Sequence, residues 1–324
     1  MLILRDCPGK LCNRMWAYSF FIAFALKHRL QLIIPFFDRY KFYFENLNRY
    51  PYVVFTFSKN KFMDKVLTKC FQKLERLLAS ASTMNGKLGV IYLEDNGSIP
   101  ALLKATRSKV VLINSWAYLK DTQAMMSYSR MIRILFQPKE NYRRKAERIL
   151  TMARLQSDVL IGIHVRRGDY KAFMNGNYYY EIADYHRVMS EVQEDFNQCG
   201  KKVSFFISSD EPISLNLCKG MNCYWIENSH VIEDLYALSQ CNLILGPPST
   251  YSMWASFWGE KPIQFIRSKD YKVTKEAFQK VLFQNYFEGR RFFDFYQNTF
   301  MNRPVPYYHK INGPQREDNV IRLL

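Results

Sequence analysis

The stretch Ile161–Tyr170, IGIHVRRGDY, sets an apolar run directly against two arginines and an aspartate. Period-two alternation puts Gly162, His164 and Arg166 on one face of a strand, with Ile161, Ile163, Val165 and Arg167 on the other. The same transition recurs twice downstream, where VSFFI (203–207) runs into SSDEP and NLILG (242–246) runs into PPSTYS. Helical stretches separate these runs, and strands alternating with helices predict a doubly wound parallel sheet. In such sheets ligands bind beyond the carboxyl ends of the strands, which is where the polar clusters fall. Each cluster taken singly is also what an ordinary loop looks like.

Working outward, residues 1–35 read as strand, loop, helix, strand: MLIL, RDCPGKLC, NRMWAYSFFIAFALKHRL and QLIIP form a second βαβ unit. Asn13 is placed to cap the helix. The segment 13–28 superficially imitates a secretory signal, but it lies between two strands and is too short to span a bilayer. Residues 36–150 give weaker signals, chiefly an amphipathic helix over 64–81 and a strand in KVVLINSW (109–116). The pattern changes near residue 150, so the expected domains are 1–150 and 151–324.

With 48% hydrophobic residues and 16% aromatics among 324, the chain has globular composition. Its net charge of +17 favours polyanions, anionic lipid or phosphorylated small molecules. The basic residues are scattered among aromatics, so no nucleic-acid partner is expected. Seven cysteines without a C-x-x-C pair fit a reduced cytoplasmic compartment. The basic and aromatic stretch FEGRRFFDFYQNTF (287–300) reads either as a packed terminal helix or as a peripheral membrane contact.

Several side chains stand out. Arg166, at a crevice edge, offers forked donors suited to a diphosphate. His164 is either a satisfied core histidine or a group facing a ligand. Arg167 and Asp169 fit a structural ion pair within the loop. Ser249 or Thr250 begins a helix whose unpaired amides favour an anion, and Ser252 lies in its first turn. Asp210 and Asp234 are candidates for bonding to ribose or to a guanine edge. No aspartate-x-aspartate, no G-x-G-x-x-G after the first strand and no G-x-x-x-x-G-K-[ST] occurs. Dinucleotide oxidoreductases and P-loop enzymes are thereby disfavoured, and no metal is expected, so arginine and backbone donors must neutralise any bound phosphate.

HVRRGDY (164–170) resembles the H-x-R-R-G-D signature of the α-1,2-fucosyltransferases, glycosyltransferase family 11. FFISSDEP and DLYALSQCNLILGPPSTYSMWAS are similar to two further blocks of that family, in order and spacing, and PGKLCNRMWAYSFFIAFAL resembles its amino-terminal block. The resemblance implies an α/β fold in a GT-B-like arrangement of two Rossmann-like domains, with the donor site in the cleft between them. It implies an inverting transferase that moves fucose from GDP-fucose to a glycan acceptor, forming an α-1,2 linkage to galactose, without a cofactor or metal. Another GDP-sugar, another fucosyl linkage, or a non-catalytic nucleotide- or polyanion-binding role are the alternatives. By the same resemblance Arg166 holds the β-phosphate and Asn13 sits by phosphate and sugar. His164 and Asp234 lie at the guanine or ribose. Arg167, Asp169, Asp210, Ser249, Thr250 and Ser252 complete the donor site. Arg14 stands where the family has glutamine. A general base is sought among Asp6, Asp38 and Glu45.

Overall fold

The computed structural model describes residues 1–56, 61–82, 90–93, 99–108, 110–115, 121–273 and 279–280. The stretch 287–300, read above as a terminal helix or membrane contact, lies outside the described residues. The chain divides into two compact units, with the change falling between Gln137 and Pro138.

The first unit carries β1 (Leu2–Leu4), α1 (Leu11–His28), β2 (Leu32–Ile34), β3 (Val53–Phe55), α2 (Lys61–Ser82), β4 (Val90–Leu93), α3 (Ile99–Ser108), β5 (Val110–Ile113) and α4 (Thr122–Leu135). All its strands are parallel, in the order β3-β2-β1-β5-β4. The apolar segment that imitates a secretory signal is α1, a core helix with 15 of its 18 residues buried. The helix starts at Leu11, and the Arg14 amide closes its first turn on the Lys10 carbonyl. Asn13 is therefore inside the first turn and is not the cap, a correction to the sequence reading. The weakly patterned region owes its cohesion to aromatics from three separate segments. Phe37, Phe44, Phe55 and Phe136 meet with ring centroids 5.4–6.1 Å apart. Beside them the buried Lys41 ammonium pairs with Asp64 at 2.6 Å and donates to the Thr56 carbonyl.

In the second unit α5 (Glu140–Leu155) is followed by β6 (Val159–Val165), α6 (Ile182–Asn197), β7 (Val203–Ser209), β8 (Cys223–Tyr224), α7 (Val231–Gln240), β9 (Leu243–Gly246), α8 (Thr250–Gly259), β10 (Pro262–Phe265) and β11 (Gln279–Lys280). The strand order is β11-β10-β9-β6-β7-β8, parallel except for the β10-β11 pair. Both units thus bear out the expected α/β class with parallel sheets. Every residue of β6 is buried, as a central strand covered on both faces requires. Val159, Ile161, Ile163 and Val165 pack with Tyr185, Val188, Met189 and Val192 of α6. On the opposite face, Gly162 lies against Leu238 and Cys241, at the end of α7. The period-two reading of this strand therefore holds on both faces.

Helix α8 approaches α7 so closely that a Cβ on Gly259 would fall 1.7 Å from the Ser239 carbonyl oxygen. Backbone cannot yield as a flexible side chain can, so α7 and α8 would have to separate. Gly259→Ala is expected to destabilise this unit by about 2–4 kcal/mol. Urea unfolding followed by tryptophan fluorescence checks this, and an unchanged midpoint would contradict the close approach.

Candidate active site

In the strand order of the second unit, direction reverses between β6 and β9, and α/β sheets bind ligands at such a switch point. The carboxyl end of β6 delivers His164, and that of β9 delivers Gly246 and then Ser249. These two strand ends touch. A Cβ on Gly246 would lie 2.7 Å from the His164 carbonyl and 2.9 Å from its Cβ, so glycine is what lets the imidazole sit there. The His164 ring lies 5.0 Å from that of Tyr251, whose hydroxyl donates to the Val231 carbonyl at the start of α7. Burial and the neighbouring Arg166 charge push the His164 pKa down to about 3, so the ring is neutral, and its buried Nδ1 has no partner.

Across the β6-β7 pair, His164 is in register with Ser208. The Ser208 hydroxyl donates to Asp234 Oδ2 at 3.4 Å, and Ser229 donates to the same oxygen at 3.0 Å. Oδ1 of Asp234 is buried without a partner. Burial pushes this carboxyl up to about 7, despite the two hydroxyl donors, while adjacent Glu233 raises it and Lys145 lowers it. Lys145 itself pairs with Glu233 at 3.0 Å. Buried polar atoms are satisfied as a rule, so two unsatisfied ones around a strand-end serine mark a place built for a polar ligand.

The loop after β6 is organised by its charges. Arg166 donates to Asp169 at 2.7 Å and pairs with Asp210 at 3.3 Å, and its guanidinium lies over the Tyr170 ring. Burial works against the Arg166 charge, but Asp169 and Asp210 outweigh it and hold the guanidinium above its usual pKa. Asp210 also accepts from the Arg167 amide at 2.9 Å, while the Arg166 amide donates to the buried Tyr185 hydroxyl at 3.1 Å. The expected Arg167–Asp169 pair does not form. Arg167 turns to Tyr179, Glu181 and Glu211, because Asp169, three residues beyond Arg166, folds back within a 3-10 turn onto that side chain.

Tyr170 joins this loop to α8. Its ring is buried beneath Arg166 and its hydroxyl donates to the Pro248 carbonyl at 2.6 Å, one residue before the helix cap. Ser249 is that cap, accepting from the Tyr251 amide, and Thr250 opens the helix. Ser252 is fully buried and donates to the Ser249 carbonyl, bracing the first turn. The structure therefore gathers His164, Arg166, Asp169, Asp210, Asp234, Ser249 and Thr250 around the ends of β6, β7 and β9, with Arg167 on the rim of the loop. Asn13 belongs to the first unit.

There, Asp6 follows β1 and accepts from the Ser115 amide after β5 at 2.8 Å, tying that sheet's own switch point. Arg14 is buried, donates to the Gly9 and Phe36 carbonyls and lies against the Tyr40 ring, so it braces the loop from within. The Asp38 side chain lies outside those described. Sequence reasoning missed Tyr170, Tyr185, Ser208, Ser229, Gly246 and Tyr251. Tyr170 was legible as the last letter of the opening motif, and Ser208 as the strand residue before Asp210, but the partners of both are distant in sequence.

A doubly wound unit with a cation and a helix start at its switch point, accompanied by a second parallel α/β unit, has the parts of a nucleotide-sugar transferase. A model of the glycosyl transferase family 11 matches residues 108–287, more than half of the chain. The chain belongs to that family and is a glycosyltransferase. Its fold is similar to that of a point variant of Arabidopsis thaliana FUT1 in complex with GDP, with 13% identity over 87% of this chain and 73% of the other, at a TM-score of 0.57. Weaker likenesses are to POFUT1 in complex with GDP (12% identity, 82% and 96% covered, TM-score 0.47) and to the fucosyltransferase NodZ from Bradyrhizobium (12%, 86% and 97%, 0.47). No curated protein matches the sequence.

An acid whose folded pKa exceeds its ordinary value holds its proton more tightly when folded. The stability that protonated Asp234 contributes is full below about pH 4 and declines as pH rises through the window up to about 7. The slope is at most about 1.4 kcal/mol per pH unit. Asp234→Asn should remove this component, so that the variant gains stability over the native chain between pH 5 and 8 in paired denaturant titrations. An unchanged difference at the two pH values would refute the assignment.

Proposed function

We propose that this glycosyltransferase moves L-fucose from GDP-fucose to a hydroxyl of a glycan acceptor with inversion, forming an α-1,2 linkage to galactose in the synthesis of a cell-envelope polysaccharide. The observation that carries the reading is a carboxylate-held arginine joined through one tyrosine to a helix start, beside two unsatisfied buried polar atoms, in a chain of family 11. The likeness in fold to a FUT1 bound to GDP supports a guanine nucleotide as the carrier.

Departure of GDP builds negative charge on the β-phosphate while the sugar gains oxocarbenium character. Arg166 and the amides opening α8 are aimed at that charge, and preorganised donors of this kind stabilise a transition state more than a ground state. Asp169 and Asp210 keep the guanidinium oriented before the donor arrives, with Arg167 and its acidic partners holding the loop. Ser249 and Thr250 complete the diphosphate contacts, and Ser252 supports them. Asp234 Oδ1 is an acceptor suited to the N–H edge of guanine, and His164, held neutral, faces the base or ribose. Asn13 is assigned to phosphate and sugar by the resemblance of its motif. With arginine and amides supplying the counter-charge, the transfer is proposed to need no metal or cofactor.

Incubating the protein with GDP-fucose, and in parallel with other GDP-sugars, together with galactose-terminated oligosaccharides, tests the reading. GDP release and an α-1,2-fucosylated product are expected from GDP-fucose alone, and silence with that donor would end the proposal. Arg166→Ala should lower turnover about 100- to 1,000-fold. Near-native turnover in that variant would remove its assigned role.

Peripheral attachment to the cytoplasmic face of a membrane is a further part of the proposal. No helix among the described residues is long and apolar enough to cross a bilayer. Support comes from α2, where exposed Val66, Leu74 and Leu77 recur on one stripe beside exposed Lys65, Lys69 and Lys73. Each lysine near an anionic surface contributes about 1 kcal/mol, so replacing all three by glutamine should weaken binding to phosphatidylglycerol vesicles by about two orders of magnitude. Vesicle sedimentation measures it, and equal binding to neutral phosphatidylcholine would contradict the electrostatic part.

A further inference from the structure

Helix α5 packs along α7 through its buried face of Ala146, Leu150 and Ala153, and three of its polar side chains reach across. Glu147 accepts from the Tyr236 hydroxyl at 2.6 Å, Arg154 donates to the Gln240 carbonyl at 2.9 Å, and Lys145 pairs with Glu233 at 3.0 Å. Lys145 also reaches past α7 and donates to the Asn228 carbonyl at 3.3 Å, in the turn that precedes the helix. Tyr142, one helical turn earlier on α5, stacks on His230 of the same turn with ring centroids 4.9 Å apart. The turn from Asn228 to Glu233 is thus gripped twice by one helix.

That turn carries one of the donors to Asp234. Asn228 lies in the left-handed region at φ 49°, a conformation that side-chain-bearing residues adopt at a cost. The next residue, Ser229, donates to Asp234 Oδ2 at 3.0 Å, a closer contact than the 3.4 Å from Ser208. His230 then caps α7, and its amide donates to the same Glu233 oxygen that receives Lys145. One carboxylate oxygen therefore joins the lysine to the cap. A cation at a helix start faces the positive end of the dipole, so the stability of α7 does not account for a lysine there.

We propose that Lys145 is a positioning residue for the nucleotide base. It fixes the Asn228 carbonyl and the His230 cap, which together keep Ser229 on Oδ2 of Asp234 and leave Oδ1 to accept from the ligand. The inference rests on the reading of Asp234 as the acceptor for guanine, and extends it to a residue that acts through the turn. Without the lysine the turn is released and Ser229 no longer holds the carboxyl. Asp234 must then be ordered at the moment of binding, at a cost to affinity.

Isothermal titration of the full chain with GDP tests this. Lys145→Met keeps the apolar stem and should weaken GDP binding about tenfold. Lys145→Arg still reaches both acceptors and should stay within about twofold of the native affinity. Arg144→Met removes the same charge from the adjacent exposed position and should bind as the native chain does, which separates positioning from long-range attraction of an anion. In a Ser229→Ala background the Lys145→Met loss should vanish, because the hydroxyl it positions is already gone. The Lys145 side chain is 43% exposed, so every variant is expected to keep the native urea midpoint. Native affinity in Lys145→Met, with Asp234→Ala weakened, would overturn the positioning role and leave the guanine reading standing. The role would equally be lost if Arg144→Met were as weak, if the Lys145→Met loss persisted in full without Ser229, or if Lys145→Met failed to fold. Native affinity in Asp234→Ala, or no GDP binding by the native chain, would end the guanine reading and this inference with it.

Discussion

A guanidinium at the end of a strand buried on both faces cannot remain uncompensated, and the arrangement of the site follows from how Arg166 is compensated. Desolvation alone would make the position costly for a charge. Two carboxylates, from its own loop and from the end of β7, meet the cost and fix the orientation of the fork. Asp210 then has a second task, since its other oxygen binds the Arg167 amide and shapes the loop backbone. This answers why the apolar run of β6 ends in such a density of charge. The two aspartates hold the cation at the sheet edge in one orientation.

Compensation by carboxylates differs in kind from what is found at Asp234 and His164. There the structure tolerates polar atoms without partners, and the cost appears as a carboxyl that resists ionisation and a ring that resists protonation. Arg166 is held ready, whereas Asp234 is left wanting. A ligand offering N–H donors to Oδ1 would favour the ionised carboxylate and recover part of the burial cost. The same contact discriminates against ligands that lack such donors, because they leave the oxygen unsatisfied.

Much of the second unit was legible in the sequence because its signals are local. A seven-residue apolar strand, its period-two faces and the serine opening a helix each depend on neighbours within a few positions, and all three are present. Pairings that depend on how a loop curls were not legible. Arg167 and Asp169 sit two apart, yet the 3-10 turn directs Asp169 to Arg166 instead. Asn13 looked like a cap because capping residues are judged by type, and the helix begins two residues earlier. In the first unit, Phe37, Phe44, Phe55 and Phe136 come from segments with no shared periodicity, so their cluster could not be read from any one window.

Tyr170 shows how the legible and the illegible parts depend on each other. Its phenol ring forms the floor under Arg166, and its hydroxyl holds the carbonyl that precedes the Ser249 cap. Arg166 and the start of α8 are thus mounted on one rigid side chain, although they lie about eighty residues apart in sequence. Displacing either would disturb the other, since both are held by a ring with no freedom to move in a packed interior. Gly246 imposes the matching restriction from the β9 side, because any side chain there would push on the His164 backbone and hence on the strand that carries Arg166. Placement at this strand end is therefore a property of the three segments together, and the motif acquires its geometry only when β6 and β9 are brought side by side.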